Sequence, residues 1–344
     1  MAVSAATARA EICLPPVFEG GRRLVFDEMH VGSLNLLLRQ HEVCWRSPAS
    51  PDERRVFVLG NSSVLGFPHG ADDTAIEILN RRFAEDGVAA HLFNLGFVYT
   101  YNLKDTLILR EALRYEPDVI VLSVMLNDLV HVAPLRYLPI VKFFNGNSRE
   151  VERFANEAPT AMGEPFALWR DFQADEVRGL AAWRTFRDAG RLVRIATRNW
   201  ALDLRRQWFP DMPPTRPPIE RDYECDEAVT AFEERHADWQ AWNPLAYLEQ
   251  VRAETGAEIL VVNWPAARNP QGRCFNHRYT FRALRFYRNW IAEQARSRGF
   301  HFVDLQPDFP QDEFFDSIHP STAGQVTIAR LIEPHLRELL VSVP

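Results

Sequence analysis

Five short runs of apolar residues punctuate the chain, at 54–60 (RRVFVLG), 89–96 (AAHLFNLG), 118–125 (DVIVLSVM), 258–263 (EILVVN) and 300–305 (FHFVDL). They are continuous rather than alternating, rich in β-branched and aromatic residues, and bounded by Gly, Pro, Asn or Asp. That is the pattern of strands buried on both faces of a parallel sheet. Helical periodicity fills the intervals, at 72–86, at 103–115 ahead of the Glu116-Pro117 stop, at 280–299 and at 323–340. Strand and helix alternating in this way predict a doubly wound α/β domain. Ligands of such sheets bind at the carboxyl ends of the strands, so the residues that follow each run carry the interest.

The predicted architecture is a three-layer α/β/α unit of flavodoxin-like type with a five-stranded parallel sheet, assembled from 54–130 and 251–344. Residues 131–250 contain no convincing strand and are rich in Arg, Trp and Pro. A structureless loop of that length is improbable inside a domain, so the expectation is a helical insertion after the third strand, placed to cap the site. Residues 1–53 form an N-terminal extension, helical around 32–41.

Composition narrows the function classes. Of 344 residues, 47% are hydrophobic and 25% charged, and the net charge is −7. This is an ordinary globular mix and not the bulk charge of a nucleic-acid binder. Cys13, Cys44, Cys225 and Cys274 are scattered, with no CxxC and no Cys/His cluster, so neither a metal site nor a disulfide framework is expected. The N-terminal residues do not read as a secretory signal and no apolar stretch is long enough to span a membrane. A cytoplasmic protein without a membrane span is therefore the expectation.

The first strand runs directly into Gly60-Asn61-Ser62-Ser63-Val64-Leu65-Gly66. GxGxxG spacing is missing, and so is the Gly-Lys-Ser/Thr of a phosphate loop. What remains is a serine at a tight strand-to-helix turn. Ser62 or Ser63 either caps the helix or exposes a nucleophilic hydroxyl. Near the C-terminus, Asp316-Ser317-Ile318-His319-Pro320 puts a carboxylate three residues before an imidazole. A serine needs a base to take its proton, and that base needs a partner to fix its tautomer. Asp316 can accept from His319 Nδ1–H and leave Nε2 for a serine. The plainer alternative is a turn aspartate and an ordinary surface histidine. Gly96 ends the second run, and Asn127-Asp128 follows the third. With the Ser62 N–H, Gly96 N–H and the Asn127 side chain make donors for one oxyanion; as ordinary structure they are a turn glycine and a helix cap.

A nucleophile, two donors and a base with its orienter on four strand ends resemble the SGNH hydrolases, also called the GDSL lipase/esterase family. VFVLGNSSVLG is similar to the family's first block, with Ser62 on the nucleophile and Gly66 on the later glycine. Gly96 in FNLG falls on the second-block glycine. Met125-Leu126-Asn127-Asp128 matches the third block, and Asp316 to Pro320 the fifth, with Gly324 fitting the helix start that follows. Asn61 stands where the family usually has Asp, and Met125 where it has Gly. The resemblance implies a divergent member, a serine esterase working through a Ser62–His319–Asp316 triad and an acyl-enzyme. The oxyanion is then held by the N–H groups of Ser62 and Gly96 and by Asn127, and neither cofactor nor metal is needed. The implied substrate is a small carboxylic ester or O-acylated molecule. An O-acyltransferase with the same triad and an alcohol acceptor or carrier-bound acyl donor is the alternative within catalysis, and a non-catalytic binding protein the alternative outside it. Ser63 is the poorer nucleophile, and His69, His91 and His131 read as bystanders or substrate contacts.

Within the insertion, Trp183, Phe186, Val193, Trp200 and Leu204 fall on one helical stripe. Residues 184–206 carry seven arginines against Asp188 and Asp203, a net +5. Either these arginines form a solvated face, or they bind an anionic ligand such as an acyl carrier, a CoA group or an anionic membrane surface.

Overall fold

Each of the five apolar runs forms a strand. In this computed structural model, residues 13, 34–48, 50–97, 102–129, 147–158, 244–268, 275–276 and 280–342 are described. The strands are β1 (Arg54–Leu59), β2 (Ala90–Asn94), β3 (Val119–Val124), β4 (Glu258–Asn263) and β5 (His301–Asp304). They make one parallel sheet in the order β2-β1-β3-β4-β5. The chain reverses its winding between β1 and β3, so their carboxyl ends open a crevice at the switch point. Register pairs Val58 with Asn94 on one side and with Val121 on the other. The ends that follow, at Gly60, Leu95 and Met125, therefore leave the sheet side by side.

The continuous apolar pattern has the expected cause. Val56 to Leu59 and all of β3 are buried, because helices cover both faces. Helix α4 (Ala75–Glu85) starts at Thr74, whose hydroxyl accepts from Glu77 N–H at 3.2 Å. It packs on β2 and against α10 (Thr322–Ser342), the last helix. Helix α9 (Phe281–Ser297), capped by Thr280, packs on β4 and β5.

Helix α5 (Asn102–Ala112) departs from the amphipathic pattern of a surface helix, being buried from Asn102 through Leu109. Three further helices account for this. They are α1 (Leu34–Gln40) from the N-terminal extension, α7 (Ser148–Glu157) from the expected insertion and α8 (Pro244–Thr255). Phe154 of α7 meets Tyr247 of α8 edge to face at 4.7 Å. Arg110 of α5 donates to Glu157 at 2.8 Å, and Leu34 N–H to Asn147 Oδ1 at 2.5 Å. The extension and the start of the insertion thus join one cover over α5. Three short helices are also present among the described residues, α2 (Glu42–Trp45), α3 (Ser62–Leu65) and, after β3, α6 (Leu126–Leu129).

Residue 251, where the core was expected to resume, lies inside α8, whose Leu245, Tyr247, Leu248 and Val251 are all buried. The scattered cysteines, expected to form no disulfide framework, do include one bonded pair. Cys13 is bonded to Cys44, with Cα atoms 5.6 Å apart. Residues 159–243, with the arginine-rich segment 184–206 and the proposed cap, lie outside the described residues. So do Cys225 and Cys274. No helix among the described residues is long and apolar enough to cross a membrane.

Candidate active site

The turn after β1 is built around Asn61. Its side-chain oxygen accepts from Ser63 N–H at 2.9 Å and its carbonyl from Val64 and Leu65 N–H, which starts α3 at Ser62. Gly66 closes the helix in the left-handed region at φ 94°, where a Cβ would collide with Thr74. The four-residue helix therefore holds Ser62 at its first position, half-buried at the carboxyl edge of the sheet. The Ser62 N–H has no acceptor among the described residues.

The loop between β5 and α10 brings up the other side. Phe314 and Pro320 pair as an isolated bridge, Ser321 N–H donates to Glu313 at 2.8 Å, and Phe315 N–H to the His319 carbonyl at 2.7 Å. Gly324 permits this closure, since a Cβ there would lie 2.4 Å from the Glu313 carbonyl. Within the loop, Asp316 Oδ1 accepts from the N–H groups of Ile318 (2.9 Å) and His319 (2.8 Å). Its Oδ2 accepts from His319 Nδ1–H at 2.7 Å. His319 Nε2 then faces Ser62 Oγ at 2.8 Å. Burial alone would raise the Asp316 carboxyl. The hydrogen bond and charge of His319, with the two backbone donors, outweigh it and hold the group below the usual carboxylate range. With Nδ1–H committed to Asp316, Nε2 is the acceptor for the Ser62 hydroxyl proton.

Ser62, His319 and Asp316 thus come together at the carboxyl edge of the sheet. Ser63 does not compete, because it is fully buried and its hydroxyl donates to the Ile318 carbonyl at 3.0 Å. Gly96 lies where expected, tight behind the turn, but its N–H donates to Asn94 Oδ1 at 3.0 Å. Asn127 lies in α6, beside the turn, and its side chain is outside the described residues. His131 is outside them too. His91 sits at the opposite end of β2, where Glu42 is 3.7 Å away.

Some supporting residues had no signal in the sequence. His69 Nε2 bonds the Pro320 carbonyl at 2.8 Å, so it braces the loop that carries His319. Phe67 presents an aromatic contact to the His319 ring, with centroids 5.0 Å apart. Asn94 Nδ2 donates to the Val64 carbonyl at 2.9 Å, tying the end of β2 to α3. Only the position of Asn94 at a strand end hinted at such a role. The two departures from the SGNH pattern prove to be in contact, since Asn61 Nδ2 lies 3.1 Å from Met125 Sδ. The same amide faces the Asp128 carboxylate at 3.4 and 3.5 Å, and Met125 N–H donates to that carboxylate at 2.7 Å. Burial, offset by Lys104 and reinforced by Asp105, pushes Asp128 up to about 7. A carboxylate at position 61 would meet that group with like charge, whereas the amide offers it a donor.

No protein-family model matches the chain, and no curated protein does. Among solved structures it is similar to TesA at 12% identity and a TM-score of 0.43, covering 83% of this chain and 99% of TesA. It is similar to a carbohydrate acetylesterase family member from Sinorhizobium meliloti at 15% identity and 0.37, again covering 83% and 99%. LAE5, an alpha/beta hydrolase enzyme from the metagenome of Lake Arreo, overlaps at 12% identity and 0.40, covering 85% and 96%. At these scores the likeness carries no functional argument, which rests on the site itself.

Proposed function

We propose that the chain is a serine hydrolase of SGNH type that cleaves a carboxylic ester or O-acyl group. The observation that carries this reading is the unbroken hydrogen-bonded line from Ser62 Oγ through His319 to Asp316. His319 Nε2 takes the Ser62 proton as Oγ bonds to the ester carbonyl carbon. The imidazolium is stabilised by Asp316, which stays ionised. The tetrahedral oxyanion falls to the Ser62 N–H, joined by the Gly96 N–H on leaving Asn94 Oδ1, and by Asn127. Each such donor typically contributes about a hundred- to a thousandfold in rate. As the tetrahedral intermediate collapses, the C–O bond to the leaving alkoxide breaks and His319 gives it the proton. Water, deprotonated by His319, then attacks the acyl-enzyme, and Ser62 leaves with the proton returned. No step draws on a cofactor.

The test is steady-state turnover of aryl esters of short and medium acyl chains, by wild type and by Ser62→Ala. The expected result is release of acid and phenol by wild type and loss of at least about 10³-fold in kcat in the variant. Equal turnover by the two proteins would overturn the assignment.

A further inference from the structure

A buried ion pair beside the nucleophile turn has no part in the mechanism. Lys104 and Asp105 of α5 are 2% and 1% exposed, and Lys104 Nζ lies 2.6 Å from Asp105 Oδ1. An ammonium shut away from water persists only where its hydrogens are taken up. A second acceptor among the described residues is the carbonyl of Gly60, at 3.1 Å. That carbonyl directly follows β1, one residue before Asn61 and two before Ser62. It also accepts the N–H of Phe97 at 2.9 Å, and Phe97 follows Gly96. One carbonyl is therefore the joint between the nucleophile turn and the segment that carries Gly96, and a buried cation grips it. Asp128 stands against Asn61 in the same turn, within reach of the charges of Lys104 and Asp105.

We propose that Lys104, held by Asp105, is a positioning residue for the nucleophile turn. By fixing the Gly60 carbonyl it sets where the Ser62 N–H and hydroxyl stand relative to Gly96. The catalytic consequence rests on the hydrolase reading above; the structural one does not. A pair that served folding alone would alter stability but not the turn.

The experiment compares the full chain with Lys104→Met and with Lys104→Met/Asp105→Asn, which does not leave the Asp105 carboxylate without its cation. Hydrogen exchange, read by mass spectrometry over the peptide spanning 57–67, reports the turn, with α9 peptides as the control. Turnover of an aryl ester reports the chemistry. In the folded variants, amides of the turn should exchange about tenfold faster while α9 is unchanged. The kcat should fall about ten- to a hundredfold, because a small misplacement of the nucleophile is enough, with KM held within about twofold. Unchanged protection of the turn in a folded variant, or wild-type kcat, would overturn the proposal. Variants that all fail to fold would assign the pair to stability and overturn it equally. A wild type that does not turn over the ester would sink the hydrolase reading alone, since exchange at the turn still decides the role of Lys104.

Discussion

Ser63 Oγ donates to the carbonyl of Ile318 at 3.0 Å, one residue along in each segment from the contact between Ser62 and His319. Adjacent serines thus divide the work, one bonding backbone to hold the two loops together and the other meeting the base. Ser63→Ala leaves a buried carbonyl without its donor, which costs about 1–3 kcal/mol. It should lower the melting temperature and slow turnover, yet leave Ser62 open to acylating probes. A folded Ser63→Ala protein that no probe labels would reverse the roles of the two serines.

Asp316→Asn keeps the shape of the loop but presents the wrong donor or acceptor to His319 Nδ1. The imidazole then loses the tautomer that leaves Nε2 free, and kcat should fall by roughly three to four orders of magnitude. Initial-rate kinetics on the purified variant check this. A fall smaller than about tenfold would mean another group orients the base.

Asp316 and Asp128 should bend the pH profile of stability in opposite directions. The Asp316 carboxyl is depressed, so its contribution is present above the ordinary carboxylate pKa of about 4 and lost as pH falls through its lower folded value. Asp128 is raised to about 7, so the folded state keeps a proton that the unfolded chain gives up. Its contribution declines as pH rises from about 4 to about 7. In thermal melts from low to neutral pH, Asp128→Asn should gain on wild type as pH rises, and Asp316→Asn should fall behind. Melting curves that run parallel to wild type for both variants would contradict these assignments.

Gly96 is fixed by space. A Cβ there would stand 2.6 Å from the Leu65 backbone nitrogen and 2.9 Å from Asn94 Oδ1. Because the nearest obstacle is backbone of α3, Gly96→Ala should displace the nucleophile turn and destabilise the fold by about 1–3 kcal/mol. Turnover should drop beyond what the melting temperature explains. Unaltered kcat in this variant would detach Gly96 from the site.

The strands were legible because burial on both faces leaves no polar position inside them, as in VIVLSV of β3. Ser62, Asp316 and His319 were legible for a related reason, since each follows a strand end where the topology gathers chemistry. The start of α8 at Pro244 was not legible because its sequence, PLAYLEQVRAET, mixes apolar and charged residues much as the preceding segment does. Its burial depends on α5, far away in sequence. Lys104 and Asp105 carry no such signal, because the Gly60 carbonyl that takes up the Lys104 ammonium lies 44 residues away and is brought to it only by folding. The Cys13–Cys44 bond spans 31 residues with no spacing signature. The bond from Gly96 N–H to Asn94 is a side-chain choice that strand-end position does not specify.

The central claim is that His319 activates Ser62. It is tested most directly by the intact mass of the protein after treatment with a fluorophosphonate, for wild type and Ser62→Ala. A single adduct on wild type that is absent from the variant is the predicted result. No adduct on folded wild type, or an adduct that survives in Ser62→Ala, would contradict the account.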